Sequence, residues 1–492
     1  MPKRLGFLSL LLFCRFCARA GEWHSFIPPE DTNAVLHNPD MGWVVYENYP
    51  LDANPQGSST LLTMPGDDFP EADAVALMFS WADVESEMDR YDFTNVDYAY
   101  DYWRSRGKEI QLRMSTEPLL IHVPGKPDAS IGVPKYVLER LPPDQKQVRK
   151  MDGDPYTVVD ARNSFYQQRL KKFLRAVDAH FDNNRPTTLI DLRGFGVWGE
   201  WHSGFRYPSL KAKHRNLSAL LDLWSATLSK RALALSFSYD PDGPKELYAG
   251  PYDKFDAAFT TNYSQFLYYS AFDHALKKSN ITFRRDGCGG AVHSNERRLN
   301  EQAFAKYHRA PMVSEFLGGY SAVQKGGSNW VTFMIEDALS LHPNYINLLG
   351  WQAGDARLFS QERPDLIALG LRRMGYRLVP TQVNCRRSPH HLEIQIDWVN
   401  RGAGRALKDY AVQLGVISKN GTIASTPRQT LSTSEWVKGK TYRTRHKISV
   451  NPDEAEKAQL FLKMTDPNSG REIKLPLKAH TESGYELRNL PI

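Results

Sequence analysis

Between about residues 33 and 373, short β-rich runs alternate with longer amphipathic stretches, and this alternation constrains the fold more than any other feature of the chain. A strand followed by a helix that packs back over the next strand is a βα unit, and a succession of such units closes on a parallel sheet. Eight strand candidates can be placed, at residues 42–46, 74–79, 109–114, 192–198, 232–238, 282–286, 311–314 and 345–349. Helical segments with apolar residues at three-and-four spacing lie between them, at 96–106, 165–181, 217–228, 296–308 and 330–341. Asn163-Ser164 and Thr94-Asn95 supply start signals for two of these. The pattern predicts an α/β fold, a (β/α)8 TIM barrel over residues 21–375. That is longer than the ~250 residues usual for such a barrel, so the βα loops must carry insertions. The Pro-rich stretch 118–155 is one of them.

Beyond residue 375 the texture changes to short alternating runs at 392–399, 410–417, 441–450 and 459–464, broken by Asn400-Arg401-Gly402 and Asn420-Gly421. This predicts an antiparallel β-sandwich as an accessory domain over 376–492 that braces the barrel; glycan binding is the alternative role, with Trp398 and Trp436 as candidate contacts, although Trp398 lies in an alternating strand and so reads as core. At the other end, Lys3 and Arg4, an apolar run over residues 5–13 and Ala18-Arg19-Ala20 read as a signal peptide cleaved near Ala20, and so as secretion. No later stretch reaches the roughly 18 apolar residues needed to span a bilayer, so no integral membrane segment is expected. N-x-[ST] triplets at Asn216, Asn262, Asn280 and Asn420 are glycosylation candidates wherever they are exposed. Two cysteines remain after the leader, Cys288 and Cys385, as one bridge or two free thiols.

Charge excludes one class of partner. The 62 basic and 56 acidic residues leave a net charge of +6 with the basic residues scattered, so no phosphate-binding stripe marks a nucleic-acid protein. Aromatic residues make 12% of the chain, and flat apolar faces suit sugars. Nucleophile-elbow, phosphate-loop and dinucleotide fingerprints are missing from any suitable strand-to-helix context, and no metal-ligand spacing exists, so neither a cofactor nor a metal is expected.

In a barrel of this kind chemistry sits where the strands end at the C-terminal mouth. Strand four runs through Gly196-Val197-Trp198-Gly199 to Glu200, and strand seven through Pro311-Met312-Val313-Ser314 to Glu315. Two carboxyl groups at one level are what glycoside hydrolysis requires, one to protonate the leaving oxygen and one to attack or to activate water. Trp198 and Trp201 flank Glu200, which makes it the candidate for a raised pKa and for the acid. Taken alone, either glutamate reads first as a salt-bridged or solvated strand-end residue, and it is their joint placement on strands four and seven that points to chemistry. Retention is expected if the carboxyl groups lie ~5–5.5 Å apart and inversion at ~6.5–9.5 Å.

Phe79-Ser80-Trp81-Ala82-Asp83-Val84-Glu85, followed by Tyr91-Asp92-Phe93 and Val96-Asp97, resembles the segment after strand two in β-galactosidase-type members of glycoside hydrolase clan A. That resemblance implies an acid/base Glu at the end of strand four and a nucleophile Glu at the end of strand seven, matching Glu200 and Glu315. Gly196 to His202, Asp286-Gly287-Cys288, Pro311 to Glu315 and Arg372-Arg373-Met374-Gly375-Tyr376-Arg377 further resemble secreted proteins carrying domain of unknown function 4832, over nearly the whole mature chain. Trp351 falls where clan A enzymes place a sugar-stacking Trp, with a core-capping indole as the alternative. Arg113, ending strand three, is a candidate to ion-pair with a catalytic carboxylate and keep it ionised, with a structural ion pair at the barrel mouth as the alternative. Trp43, Trp81, Trp198, His202 and Asp286 complete the substrate-binding candidates, while Glu117, Tyr239 and Asp240 also lie near strand ends and Glu85 reads as structural. Gly199 stands where clan A enzymes usually carry Asn. This departure keeps open a non-catalytic carbohydrate-binding protein on the same barrel, and one carboxylate turned into a buried ion pair would favour it.

Overall fold

The computed structural model describes residues 21–48, 69–118, 132–151, 154–237, 271–289, 311–325, 327–348, 354–388, 390–418, 421–450 and 458–489. Residues 1–20, where a leader is expected, the helix expected at 296–308, Trp351, Tyr239, Asp240, Asn262 and Asn420 lie outside them.

Eight parallel strands close into a barrel. In order they are Gly42–Asn48, Ala72–Ser80, Glu109–Ser115, Leu189–Arg193, Leu233–Phe237, Ile281–Cys288, Val313–Phe316 and Tyr345–Leu348, and the eighth pairs with the first through Ile346 and Trp43. Helices Thr94–Ser105, Ser164–His180, Leu210–Thr227, Ser328–Leu339 and Pro364–Arg373 lie along the chain between and after them, giving a (β/α)8 TIM barrel. The helix Ser164–His180 shows why these segments form: the Asn163 side chain accepts from the Tyr166 amide, and Tyr166, Leu170, Phe173, Leu174 and Val177 make one buried stripe.

Strand four departs from its expected bounds. It runs Leu189–Arg193, earlier than 192–198, and Gly194 to Gly199 belong to a turn rather than to the sheet. Gly196 and Gly199 sit at φ +78° and +69°, where a ladder cannot continue. Glu200 is therefore delivered by a loop and not by a strand end.

The C-terminal region holds two antiparallel sheets. One pairs Leu378–Ser388, His391–Asn400 and Thr441–Ser449; the other is built on Ala411–Ser418, Gln459–Thr465 and Gly484–Asn489. Their buried apolar residues form one cluster, in which Trp398 and Trp436 lie 5.7 Å apart between ring centres. Both indoles are core: Trp398 lies where its alternating strand places it, and Trp436 is not the exposed glycan contact the sequence offered. The strand Trp23–Phe26, inside the span assigned to the barrel, instead joins the first of these sheets beside Val383 to Arg386.

Cys288 and Cys385 are buried free thiols. Asn216 is buried, and the Asn280 amide donates to the carbonyls of Ser225 and Leu228, so neither presents a free carboxamide for a glycan. No helix among the described residues is long and apolar enough to cross a membrane.

The barrel floor and the C-terminal region share polar contacts. Buried Asn344 donates to the carbonyls of Asp40 and Arg405, and Lys408 pairs with Asp40 at 3.1 Å. Glu109, at the start of strand three, accepts from the Asp40 amide at 3.1 Å and from the Tyr345 hydroxyl at 2.5 Å. Burial, reinforced by the Asp40 carboxylate, pushes Glu109 up to about 7. A carboxyl raised on folding contributes stability at acid pH that is lost as pH climbs through the folded value. Glu109→Gln, which cannot ionise, should therefore flatten the fall in melting temperature between about pH 5 and pH 8; scanning calorimetry of both proteins across that range checks this.

Candidate active site

Both faces of a parallel-barrel strand are covered, so a charged residue inside one must find a partner. Four strands bring such residues to the barrel interior because side chains alternate along each strand. Strand three contributes Arg113, strand four Asp191 and Arg193, strand six Arg284 with Asp286, and strand seven Glu315. The neighbours of these positions face the other way: Leu192 is in the apolar core, and Arg285 pairs with Asp337 of the helix Ser328–Leu339 at 3.0 Å.

Three guanidinium groups and three carboxylates meet in this space. Arg113 lies over the Tyr46 ring, 3.8 Å from its centre, and donates to Glu315 Oε2 at 3.3 Å and Oε1 at 3.2 Å and to Glu200 Oε1 at 3.4 Å. Arg193 donates to Asp191 at 3.0 Å, to Glu200 Oε1 at 3.0 Å and to the Trp198 carbonyl at 2.6 Å. Arg284 pairs with Asp191 at 3.1 Å, with Glu200 at 3.5 Å and, in close contact, with Glu315. His202 Nε2 stands 3.5 Å from Glu200 Oε2. No member of this group exceeds 8% exposure.

The loop that delivers Glu200 is tightly specified. A Cβ on Gly199 would sit 2.6 Å from the Arg193 backbone, and one on Gly196 would sit 1.8 Å from the His202 carbonyl oxygen. Trp198, Trp201 and Ser203 also take positive φ. Trp201 anchors the turn by donating its indole N–H to the Leu192 carbonyl at 2.8 Å. From the long insertion, the hairpin Lys146–Met151 with Asp154–Val159 supports the loop, through the Tyr156 hydroxyl to the Ser203 carbonyl at 2.9 Å and Arg149 to the Gly204 carbonyl at 2.6 Å.

The charge state of Glu200 reverses the expectation drawn from its flanking indoles. Burial raises its pKa, but the His202 hydrogen bond and the Arg193 and Arg284 cations outweigh burial and hold the carboxyl well below the usual carboxylate range. Trp201 points at a backbone carbonyl, and the Trp198 ring faces His202 edge-on at 6.0 Å, so the indoles do not supply the apolar pocket that would keep Glu200 protonated. Burial and the neighbouring Arg284 cation bring Arg113 and Arg193 down to about 9, which leaves both charged at neutral pH.

Of the substrate-binding candidates, Arg113, Trp198, His202 and Asp286 lie in or beside this cluster; half-buried Asp286 is near enough to act on all three arginines. Trp43 and Trp81 do not. Trp43 is on the outer face of strand one, fully buried against Phe69, Phe316 and Phe359, with its indole donating to the Ile367 carbonyl. Trp81 opens a single helical turn after strand two, stacks on Phe173 and donates to Glu85. Both are core. Glu85 also takes Arg169 as a buried partner. Glu117 is buried beside Tyr166 and Tyr207 and is raised well above the ordinary value by burial. Sequence reasoning missed Asp191, Arg193 and Arg284. Their signal was present, as charges at alternate positions inside Leu189-Ile190-Asp191-Leu192-Arg193 and Thr282-Phe283-Arg284-Arg285-Asp286.

Since Glu200 Oε1 and Glu315 Oε1 contact the same Arg113 nitrogen at 3.4 and 3.2 Å, they lie at most about 6.6 Å apart. This bound on one pair of oxygens is compatible with the ~5–5.5 Å separation of retaining glycosidases.

Gly199→Asn, which would restore the residue the clan A resemblance leads one to expect, should lower the melting temperature and the soluble yield. Its Cβ meets the Arg193 backbone, a clash of the kind that costs about 1–3 kcal/mol. Thermal unfolding of the variant tests this, and an unchanged melting temperature would contradict it.

No family model and no curated protein matches the chain. Among solved structures it is similar to the catalytic domain of β-amylase from Paenibacillus polymyxa, at 12% identity and a TM-score of 0.47 over 67% of this chain and 98% of that one. It is also similar to endo-glycoceramidase II from Rhodococcus sp., at 12% identity and 0.40 over 85% and 99%, and to xylanase 10B from Thermotoga maritima, at 11% and 0.38 over 65% and 84%. The parallel barrel itself rests on the strand pairing described above.

Proposed function

We propose that this chain is a secreted glycoside hydrolase acting with retention, in which Glu315 attacks the anomeric carbon and Glu200 serves as acid and then base, with the C-terminal sheets as a sandwich that braces the barrel. One observation carries this reading: side chains delivered by the fourth and seventh βα units converge on a single Arg113 nitrogen inside the barrel. Glu315, facing Arg113 and Arg284, has the cationic surroundings an ionised nucleophile needs. The Trp198 indole, half-buried at the same loop, offers a flat face to a sugar ring.

The acid half-reaction demands a proton on Glu200, whose carboxyl is held in the charged form by its neighbours. The protonated fraction grows as pH falls, so turnover should rise as the pH is lowered from neutral, with the basic limb of the profile belonging to Glu200.

A second reading is favoured by the same electrostatics. Both carboxylates are engaged by arginines, so a site without a proton donor would bind carbohydrate and release no product.

A panel of 4-nitrophenyl glycosides and polysaccharides, assayed with the full secreted chain from about pH 4 to pH 8, separates the two. Glu315→Gln should lose at least ~10³-fold in kcat and still bind sugar. Glu200→Ala should retain activity best on the substrates with the most acidic leaving groups and recover turnover with azide. Full activity of Glu315→Gln removes the nucleophile assignment, while sugar binding with no product at any pH establishes the binder.

A further inference from the structure

We propose that Arg284 is a positioning residue for the reaction above, one half of a two-sided clamp that holds Glu200 and Glu315 face to face and keeps the charge of the pair matched as the proton moves. This inference rests on the hydrolase reading and assigns a role to a residue that neither the motifs nor the resemblance singled out.

The clamp is visible in the strand order. Arg113 comes from strand three, next to the strand preceding Glu200, and Arg284 comes from strand six, hydrogen bonded to the strand that bears Glu315. Each touches both glutamates. Arg193 reaches Glu200 and Asp191, so it anchors one side only. Asp191 lies 3.1 Å from Arg284 Nε and serves as the counter-ion that keeps this guanidinium in place. The charged groups facing the glutamates are Arg113 from strand three, Asp191 and Arg193 from strand four, His202 from the following loop, and Arg284 with Asp286 from strand six. From strand one the Tyr46 ring supports Arg113, and its hydroxyl accepts from Asn347 of strand eight at 2.8 Å.

During glycosylation a Glu315 oxygen forms a bond to the anomeric carbon while the glycosidic C–O bond breaks. The departing oxygen keeps that electron pair and takes the proton from Glu200. One negative charge thereby leaves Glu315 and one appears on Glu200, so a guanidinium in contact with both retains an anionic partner throughout. Arg284 satisfies that condition without moving. The same cation opposes protonation of Glu200, in the direction found for that carboxyl.

The test compares wild type, Arg284→Met, Arg284→Lys and Asp191→Asn in the full chain. In kcat profiles on the best 4-nitrophenyl glycoside, Arg284→Met should move the basic limb up by ~1–3 pH units and lower kcat at the optimum. Asp191→Asn, which removes the counter-ion, should move the limb down. Arg284→Lys should keep the limb near its wild-type position but lose about tenfold or more in kcat with little change in KM, since the charge survives and the forked geometry does not. Thermal unfolding requires no substrate: the deficit of Arg284→Met should be largest near neutral pH and shrink as pH falls and the carboxylates protonate. If the methionine variant does not fold, the downward shift of Asp191→Asn, set beside the unmoved limb and lowered kcat of Arg284→Lys, decides. Coincident limbs in all active proteins overturn the proposal. Wild type inert on every glycoside sinks the hydrolase reading and with it the positioning role, while a pH-dependent deficit on unfolding still marks Arg284 as an electrostatic clamp; a deficit independent of pH removes that as well.

Discussion

Arg113, Arg193 and Arg284 facing Asp191, Glu200 and Glu315 replace the branched apolar side chains that ordinarily fill the upper layer of such a barrel. Desolvating six ions costs several kcal/mol for each, and only mutual contact offsets it. Removing one partner strands a buried charge, at about 3–5 kcal/mol. The cluster is consequently an all-or-none arrangement: each strand that contributes a charge depends on the register of the others, and the loop carrying Glu200 must close onto ions already in place.

That dependence explains the geometry around residues 194–204. A carboxylate that must reach Arg193 from seven positions further along needs the chain to double back, and the positive φ values of Gly196 and Gly199 provide the reversal. A side chain at 199 would occupy the space of the Arg193 backbone, so Gly199 has a steric cause that is independent of any contact with a sugar hydroxyl. The insertion that precedes strand four has a corresponding purpose, since its hairpin fixes the far side of the loop through Tyr156 and Arg149. At the opposite end of the barrel, Glu109, Asp40, Tyr345 and Lys408 form a second buried polar group that links the floor to the C-terminal sheets.

Much of the fold was legible in the chain. The eight strand positions and the helices Ser164–His180 and Ser328–Leu339 follow from apolar periodicity, because burial on the outer face of the sheet imposes that periodicity directly. The fourth strand was read three residues late at its start and five at its end, since Phe195, Val197 and Trp198 look like strand residues although the glycines between them turn the chain. Trp43 and Trp81 were drawn to the mouth by their proximity to strand ends, and both belong to the core. Proximity along a strand does not reveal which face a side chain takes, and for Trp43 the alternation places it opposite Tyr46.

Sequence alone determined that eight strand candidates are interspersed with helical segments, that the texture of the chain changes near residue 375, and that one glutamate comes after the fourth strand and another at the end of the seventh, because periodicity and order along the chain are local properties. Tertiary structure alone decided that those glutamates share the guanidinium groups of Arg113 and Arg284, that Glu200 is held charged where its tryptophan neighbours had pointed to a proton, and that Asp191 and Arg193 belong to the same group. The physical reason is that the charge on a buried carboxyl is set by the groups within a few ångströms of it. Here those groups come from strands three, four and six and from a loop, and lie up to 202 residues along the chain from the carboxyl they act on.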